Sequence, residues 1–127
     1  MKNSKQNPLL EKSFDYAVHV VNETKSLKRK DLDKSIVSQF IRCGTSIGAN
    51  VEEAIGGSSK RDFKNKLTIS YKETRESNYW VRLLSATDYI DSKEFKLLFN
   101  LNSELQKILY SSIRSASQNI NESKSYH

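Results

Sequence analysis

A chain of 127 residues with 28% charged side chains, one Pro and four Gly is long enough for a single hydrophobic core and too sparsely punctuated for many short elements. Its 21 Lys and Arg against 15 Asp and Glu leave a net charge of +6, which suits an anionic partner such as nucleic acid and equally suits plain solubility. The lone Cys43 excludes an intrachain disulfide, no apolar run approaches the roughly 18 residues of a membrane span, and the polar start lacks the apolar stretch of a signal peptide, so a reducing cytoplasm is the expected compartment.

Residues 1–7 are polar and read as a frayed end. Pro8 suits the first turn of a helix, where its missing N–H has no partner to lose. Leu10, Phe14, Ala17, Val18 and Val21 follow at helical spacing, which predicts a first helix over about 8–27. Residues 25–34 place Lys25, Lys28, Arg29, Lys30 and Lys34 against Asp31 and Asp33 and read as a basic loop. Asp33 or Ser35 can cap the second helix. Its apolar residues Ile36, Phe40, Cys43, Ile47, Val51, Ala54 and Ile55 recur every three or four positions until Gly56 and Gly57 stop it, an expected span of about 34–56. Gly44 and Gly48 interrupt that helix at a cost of about 1 kcal/mol each against alanine. They lie four apart on one face, and a bare face of this kind lets a neighbouring helix approach closely. Cys43, beside them, is read as a buried structural thiol.

Ser58 or Ser59 can cap a third helix, with Asp62 near its positive end. Phe63, Leu67, Thr74, Val81 and Leu84 form one stripe, widened by Ile69, Tyr71, Tyr79, Trp80 and Leu83, and no Gly or Pro intervenes before Asp88, so this helix is expected over about 60–87. Either Tyr71, Tyr79 and Trp80 finish the internal core, or some of them face another subunit. Asp91 with Glu94 resembles a capping box opening a fourth helix, which Phe95, Leu98, Leu105, Leu109, Ile113 and Ala116 carry to about 119. Residues 120–127 are read as too polar to pack. Four long helices with short connections predict one all-α domain over residues 1–127, an antiparallel up-down-up-down four-helix bundle.

Ile41 and Arg42, then Ser46, Ile47, Gly48, Ala49, Asn50, Val51, Glu52 and Glu53, then Ser59, Lys60, Arg61, Asp62 and Phe63 resemble the signature of the bacterial four-helix-bundle proteins first noticed in intervening sequences of large-subunit ribosomal RNA genes. Residues 72–84 are similar to a third-helix pattern of one branch of that family, and the resemblance spans roughly residues 8–118. The chain departs from the pattern at Gly48, where proline usually stands, and at Ala54, where glycine commonly follows the glutamate, so the bend and end of the second helix are expected to differ. The family has no assigned enzymatic activity. It includes the accessory protein of diversity-generating retroelements, a homopentameric barrel that binds nucleic acid and a reverse transcriptase. The resemblance implies a homopentamer with a basic surface; no residue here identifies a reverse-transcriptase partner.

Enzyme chemistry finds little footing. A di-iron site in a bundle needs Glu-x-x-His pairs, and neither His19 nor His127 follows a glutamate by three. No nucleophile motif, Gly-rich phosphate loop or His-Glu-x-x-His run occurs. No catalytic residue, metal or cofactor is expected. Asn50, Glu53, Arg75 and Glu76 fall within the apolar pattern and are read as structural polar residues, a carboxylate of one helix meeting an arginine or amide of the next, with Arg42 joining them or facing solvent. Lys28, Arg29 and Lys30 in the first connection, and Lys60, Arg61, Lys64 and Lys66 opening the third helix, form two basic clusters at opposite ends of the expected bundle. Cations at a helix start oppose its dipole, so the second cluster points to phosphate contacts that hold nucleic acid without reading its sequence. The expected function is a non-enzymatic homo-oligomer that binds nucleic acid, an accessory factor in type; the alternative is a protein-interaction scaffold whose charge serves solubility.

Overall fold

The computed structural model describes residues 7–125 as four helices: α1 (Pro8–Leu27), α2 (Lys34–Ile55), α3 (Lys60–Ala86) and α4 (Ser92–Ser125). The expectation of a frayed start at residues 1–6, and His127, lie outside the described residues. Asn7 is no part of a frayed end, because its side chain caps α1 by accepting from the Leu10 amide while Pro8 takes the first turn. Asp33 rather than Ser35 caps α2, and Ser59 rather than Ser58 caps α3 by accepting from the Asp62 amide at 3.0 Å. Asp91 accepts from the Glu94 amide at 2.8 Å to open α4.

Two helix ends differ from expectation. α4 does not stop near 119 but runs to Ser125, because polarity removes packing without breaking backbone hydrogen bonds. α2 ends at Ile55, yet neither Gly56 nor Gly57 adopts a left-handed conformation. Gly57 is bare for a steric reason, since a Cβ there would fall 2.3 Å from the Asp62 carboxylate. The left-handed position belongs instead to Asp88, φ 65°, which closes α3 through Tyr89 N–H to Leu84 and Asp88 N–H to Ser85 bonds.

The helices form a square, with α1 and α3 each packed between α2 and α4. Lys30 donates to the Tyr89 carbonyl and the Tyr89 hydroxyl donates to the Asp31 carbonyl, which clasps the first and third connections together at one end. The second connection lies at the other, as an antiparallel bundle requires. The described residues contain no strand.

Phe40, Ile47, Val51, Leu67, Val81, Leu84, Leu98, Leu105 and Leu109 fill the core. At its middle is a polar layer that periodicity does not reveal. Asn102 of α4 is fully buried and donates to the Tyr16 hydroxyl of α1 at 3.2 Å and to the Thr74 carbonyl of α3 at 2.9 Å, while its own carbonyl accepts from Gln106 at 2.7 Å. Tyr16 also shares a 2.7 Å hydrogen bond with Ser77. Burial pushes the Tyr16 phenol and the Cys43 thiol each up to about 12, so both stay neutral and Cys43 is inert.

Gly44 and Gly48 face α1, the expected close approach. A Cβ at 44 would fall 2.7 Å from Val20 Cγ1, whereas one at 48 would lie 3.4 Å from the Ser13 carbonyl oxygen. α2 passes through Gly48 without interruption. Arg42 of α2 reaches Glu73 at 2.9 Å and Glu76 at 2.6 Å on α3, and Glu76 also accepts from the Trp80 indole at 3.1 Å. Lys66 pairs with Glu53 at 3.1 Å across the same two helices. Arg75 is exposed and Asn50 bonds back to Ser46 within α2, so neither joins the helices in the way their place in the sequence suggests.

Glu76 and Glu23 carry opposite pH signatures. The Trp80 indole and then Arg42 hold the Glu76 carboxyl below its usual range, against some desolvation. Its contribution is therefore present above the ordinary glutamate pKa and lost as pH falls through the depressed folded value. Glu23, buried at 9% exposure, is pushed up by desolvation and by Glu94 and Asp91, with Lys30 opposing. Its folded state favours the protonated form, so stability is lost as pH rises through the raised value.

Gly44→Ala is expected to lower stability by about 1–3 kcal/mol despite its better helix propensity, because both methyls and the Cβ of buried Val20 crowd the added carbon, while Gly48→Ala stays within about 1 kcal/mol of the parent; thermal melts separate the two. Glu76→Ala should cost about 1 kcal/mol at neutral pH, with the deficit shrinking as the melts are repeated toward pH 3. Glu23→Gln should raise Tm at pH 7 and lose that advantage in acid; a lower Tm at neutral pH would contradict the assignment.

Candidate nucleic-acid interface

The two basic clusters occupy opposite ends of the bundle and meet different surroundings. Lys28, Arg29 and Lys30 are exposed at the end of α1. The clasp between connections sets Lys30 among Glu23, Asp88, Asp91 and Glu94 and ties it to the Tyr89 carbonyl. The carboxylates Asp91 and Glu94 also suit the positive start of α4.

The opening turns of α3 differ. Lys60 and Arg61 are exposed and Lys64 is half-buried, with Asp62 as the carboxylate among them. Lys66, in the same sequence cluster, is engaged by Glu53. The antiparallel pairing sets this turn beside Ser112, Ser115 and Asn119 of α4; nearer the middle of α4, Lys107, Tyr110 and Arg114 are exposed at three- and four-residue spacing. Tyr110 is 58% exposed, and its ring centroid lies 6.3 Å from that of Tyr71 on α3. Sequence reading missed Lys107, Tyr110 and Arg114, which folding sets on the face of α4 beside α3. Their signal in the sequence is a basic-aromatic-basic stripe on the outer face of α4.

Between these elements is a cavity of about 710 Å³, walled by Ile55, Phe63, Lys60, Ser111, Ser112, Ser115 and Asn119 among others. Several helical hydroxyls bond back to a carbonyl of the preceding turn, as Thr45, Ser46, Thr68 and Ser117 do. Ser111, Ser112 and Ser115 form no hydrogen bond with any described residue, and their hydroxyls are open to the cavity. Together these groups offer fixed positive charge for phosphate oxygens, hydroxyls that both donate and accept, and an aromatic face.

The aromatics of α3 differ in burial. Tyr71 and Trp80 are half-buried against the core, and Tyr79 is 49% exposed with its ring edge-on to Trp80 at 5.0 Å. The largest exposed apolar side chain belongs to α1: Phe14, 69% exposed, shares a groove of about 530 Å³ with Val18 and Leu101. Among the described residues no three metal-ligating side chains stand close enough to hold an ion, and no helix is long and apolar enough to cross a membrane.

Comparison with known proteins bears on this arrangement. A solved structure from Bacteroides thetaiotaomicron, described as a protein of unknown function from the S23 ribosomal protein family, is similar over 83% of this chain and 97% of its own, with 40% identity and a TM-score of 0.79. No curated protein matches. The family model described as 23S rRNA-intervening sequence protein matches residues 5–111. With α1, α2, α3, the connections and the first part of α4 inside that match, the chain belongs to the 23S rRNA-intervening sequence protein family.

Proposed function

We propose that this chain is a non-enzymatic, homo-oligomeric nucleic-acid-binding protein of the cytoplasm, an accessory factor that holds phosphate backbone on the α3–α4 side of its second connection. The supporting observation is the placement of Lys60, Arg61 and Lys64 at the start of α3, with Lys107 and Arg114 exposed along the neighbouring α4. Helix stability does not explain cations there, because they oppose the dipole. In the first connection Lys30 is held by the Tyr89 carbonyl and stands among Glu23, Asp88, Asp91 and Glu94, so it is less available to a phosphate.

Self-association is supported by Phe14 and Val18, 69% and 41% exposed on one face of α1, an apolar surface that a partner copy would cover. A ring of such copies, five as the family resemblance implies, would repeat the basic turn into a collar. The same apolar face supports the second reading, a scaffold that docks another protein and uses its charge for solubility. Salt separates the two, because log affinity for nucleic acid falls linearly with log salt and an apolar docking surface lacks that slope.

Anisotropy titrations of labelled strands at several salt concentrations are expected to give a steep negative slope for the parent protein. Charge reversal at Lys60 and Arg61 should weaken binding at least about tenfold and shallow the slope by about 2, one for each phosphate that the variant no longer neutralises. Oligomer mass should not change. Equal affinity in the reversed variant would remove this surface from the function.

A further inference from the structure

The nucleic-acid reading leaves open which form of nucleic acid the surface takes, and the α3–α4 face carries features that a phosphate track alone does not need. A duplex offers a charged backbone and keeps its bases stacked inside, so binding it calls for cations only. Here the cations flank an exposed aromatic ring and a cavity. Tyr110 lies between Lys107 and Arg114 on one stripe of α4 and is held from behind by Tyr71, leaving 58% of it exposed. Ser111 follows directly, and with Ser112 and Ser115 it opens the cavity beside Phe63.

The cavity suits one base. Its volume of about 710 Å³ is in the range of small-ligand sites, Phe63 and Ile55 supply apolar walls, and three hydroxyls with no hydrogen bond to any described residue supply donors and acceptors for a base edge. A hydroxyl rotates to donate or accept as required, so the set tolerates any of the bases and discriminates little among them. Only unpaired bases can use either feature, since the faces and edges of paired bases are already taken up within the helix.

Building on the proposed nucleic-acid role, we infer that this face binds single-stranded nucleic acid, with one unstacked base lying on Tyr110, a neighbouring base entering the cavity beside Phe63, and the connecting phosphates on Lys60, Lys64, Lys107 and Arg114. The ligand is a single strand of either sugar, with weak sequence preference.

The test compares a 12-nucleotide single strand with a hairpin duplex at matched salt, each as RNA and as DNA, the tighter sugar identifying the source. The parent protein should prefer the single strand. Tyr110→Ala removes an exposed ring and leaves the core untouched; it should weaken single-strand binding about tenfold while duplex affinity and the salt slope stay put, and Tyr110→Phe should restore the loss. Ser115→Phe, which fills the cavity from an exposed position, should weaken single-strand binding as well. An environment-sensitive adenine analogue placed within the strand should lose fluorescence on binding the parent protein and keep it with Tyr110→Ala. Single-strand affinity unchanged in both Tyr110→Ala and Ser115→Phe, or a preference for the duplex, overturns the inference. If the Lys60 and Arg61 reversal still abolishes binding in that case, the phosphate-binding function stands without it; a parent protein that binds no strand at low salt sinks both.

Discussion

The buried amide of Asn102 constrains the whole bundle. Apolar side chains tolerate sliding, because one methyl contact replaces another at little cost, whereas a buried amide is satisfied only where its partners stand. Asn102 meets Tyr16 of α1 and the Thr74 carbonyl of α3, and Ser77 completes the link back to Tyr16. Ser70 extends the polar layer to α2 by donating to the Ile47 carbonyl at 2.9 Å. A shift of α4 by one turn would leave that amide without partners, at a cost of about 1–3 kcal/mol or more, so the layer fixes register in a core whose leucines alone would permit several. The α3–α4 face depends on it, because the register that places Thr74 beside Asn102 also places Lys60 and Phe63 beside Ser112 and Ser115.

Local chemistry was legible in the sequence where it acts locally. The spacing of apolar residues, Pro8, and the capping side chains of Asp33, Ser59 and Asp91 each act within a turn of their own position, so the helices could be placed from them directly. The end of α4 was missed for the same reason in reverse: polarity beyond 119 signals absence of a packing partner, and a helix does not need one to continue for a few turns. Gly56 and Gly57 looked like a left-handed stop, yet the close approach of Asp62 accounts for Gly57. Arg42 and Glu76 form the inter-helix pair, while Arg75, one residue before Glu76, points away; a difference of one residue rotates a side chain by about 100° on a helix.

The candidate interface was half legible for a comparable reason. Charge clusters are visible along the chain, but cancellation happens in space. Lys30 of the first cluster meets carboxylates some sixty residues away, brought in by the clasp with Tyr89. The second cluster opens onto a cavity whose walls come from three helices.

The contact between Gly44 and Val20 has a consequence on a longer timescale. A residue larger than glycine at 44 would collide with a branched side chain at 20, and the two positions are 24 residues apart on helices that must stay in contact. Selection therefore acts on the pair as one unit of volume. Enlarging position 44 while position 20 keeps its branched side chain costs stability, so the order in which the two substitutions arrive matters even though either final combination can fill the same space.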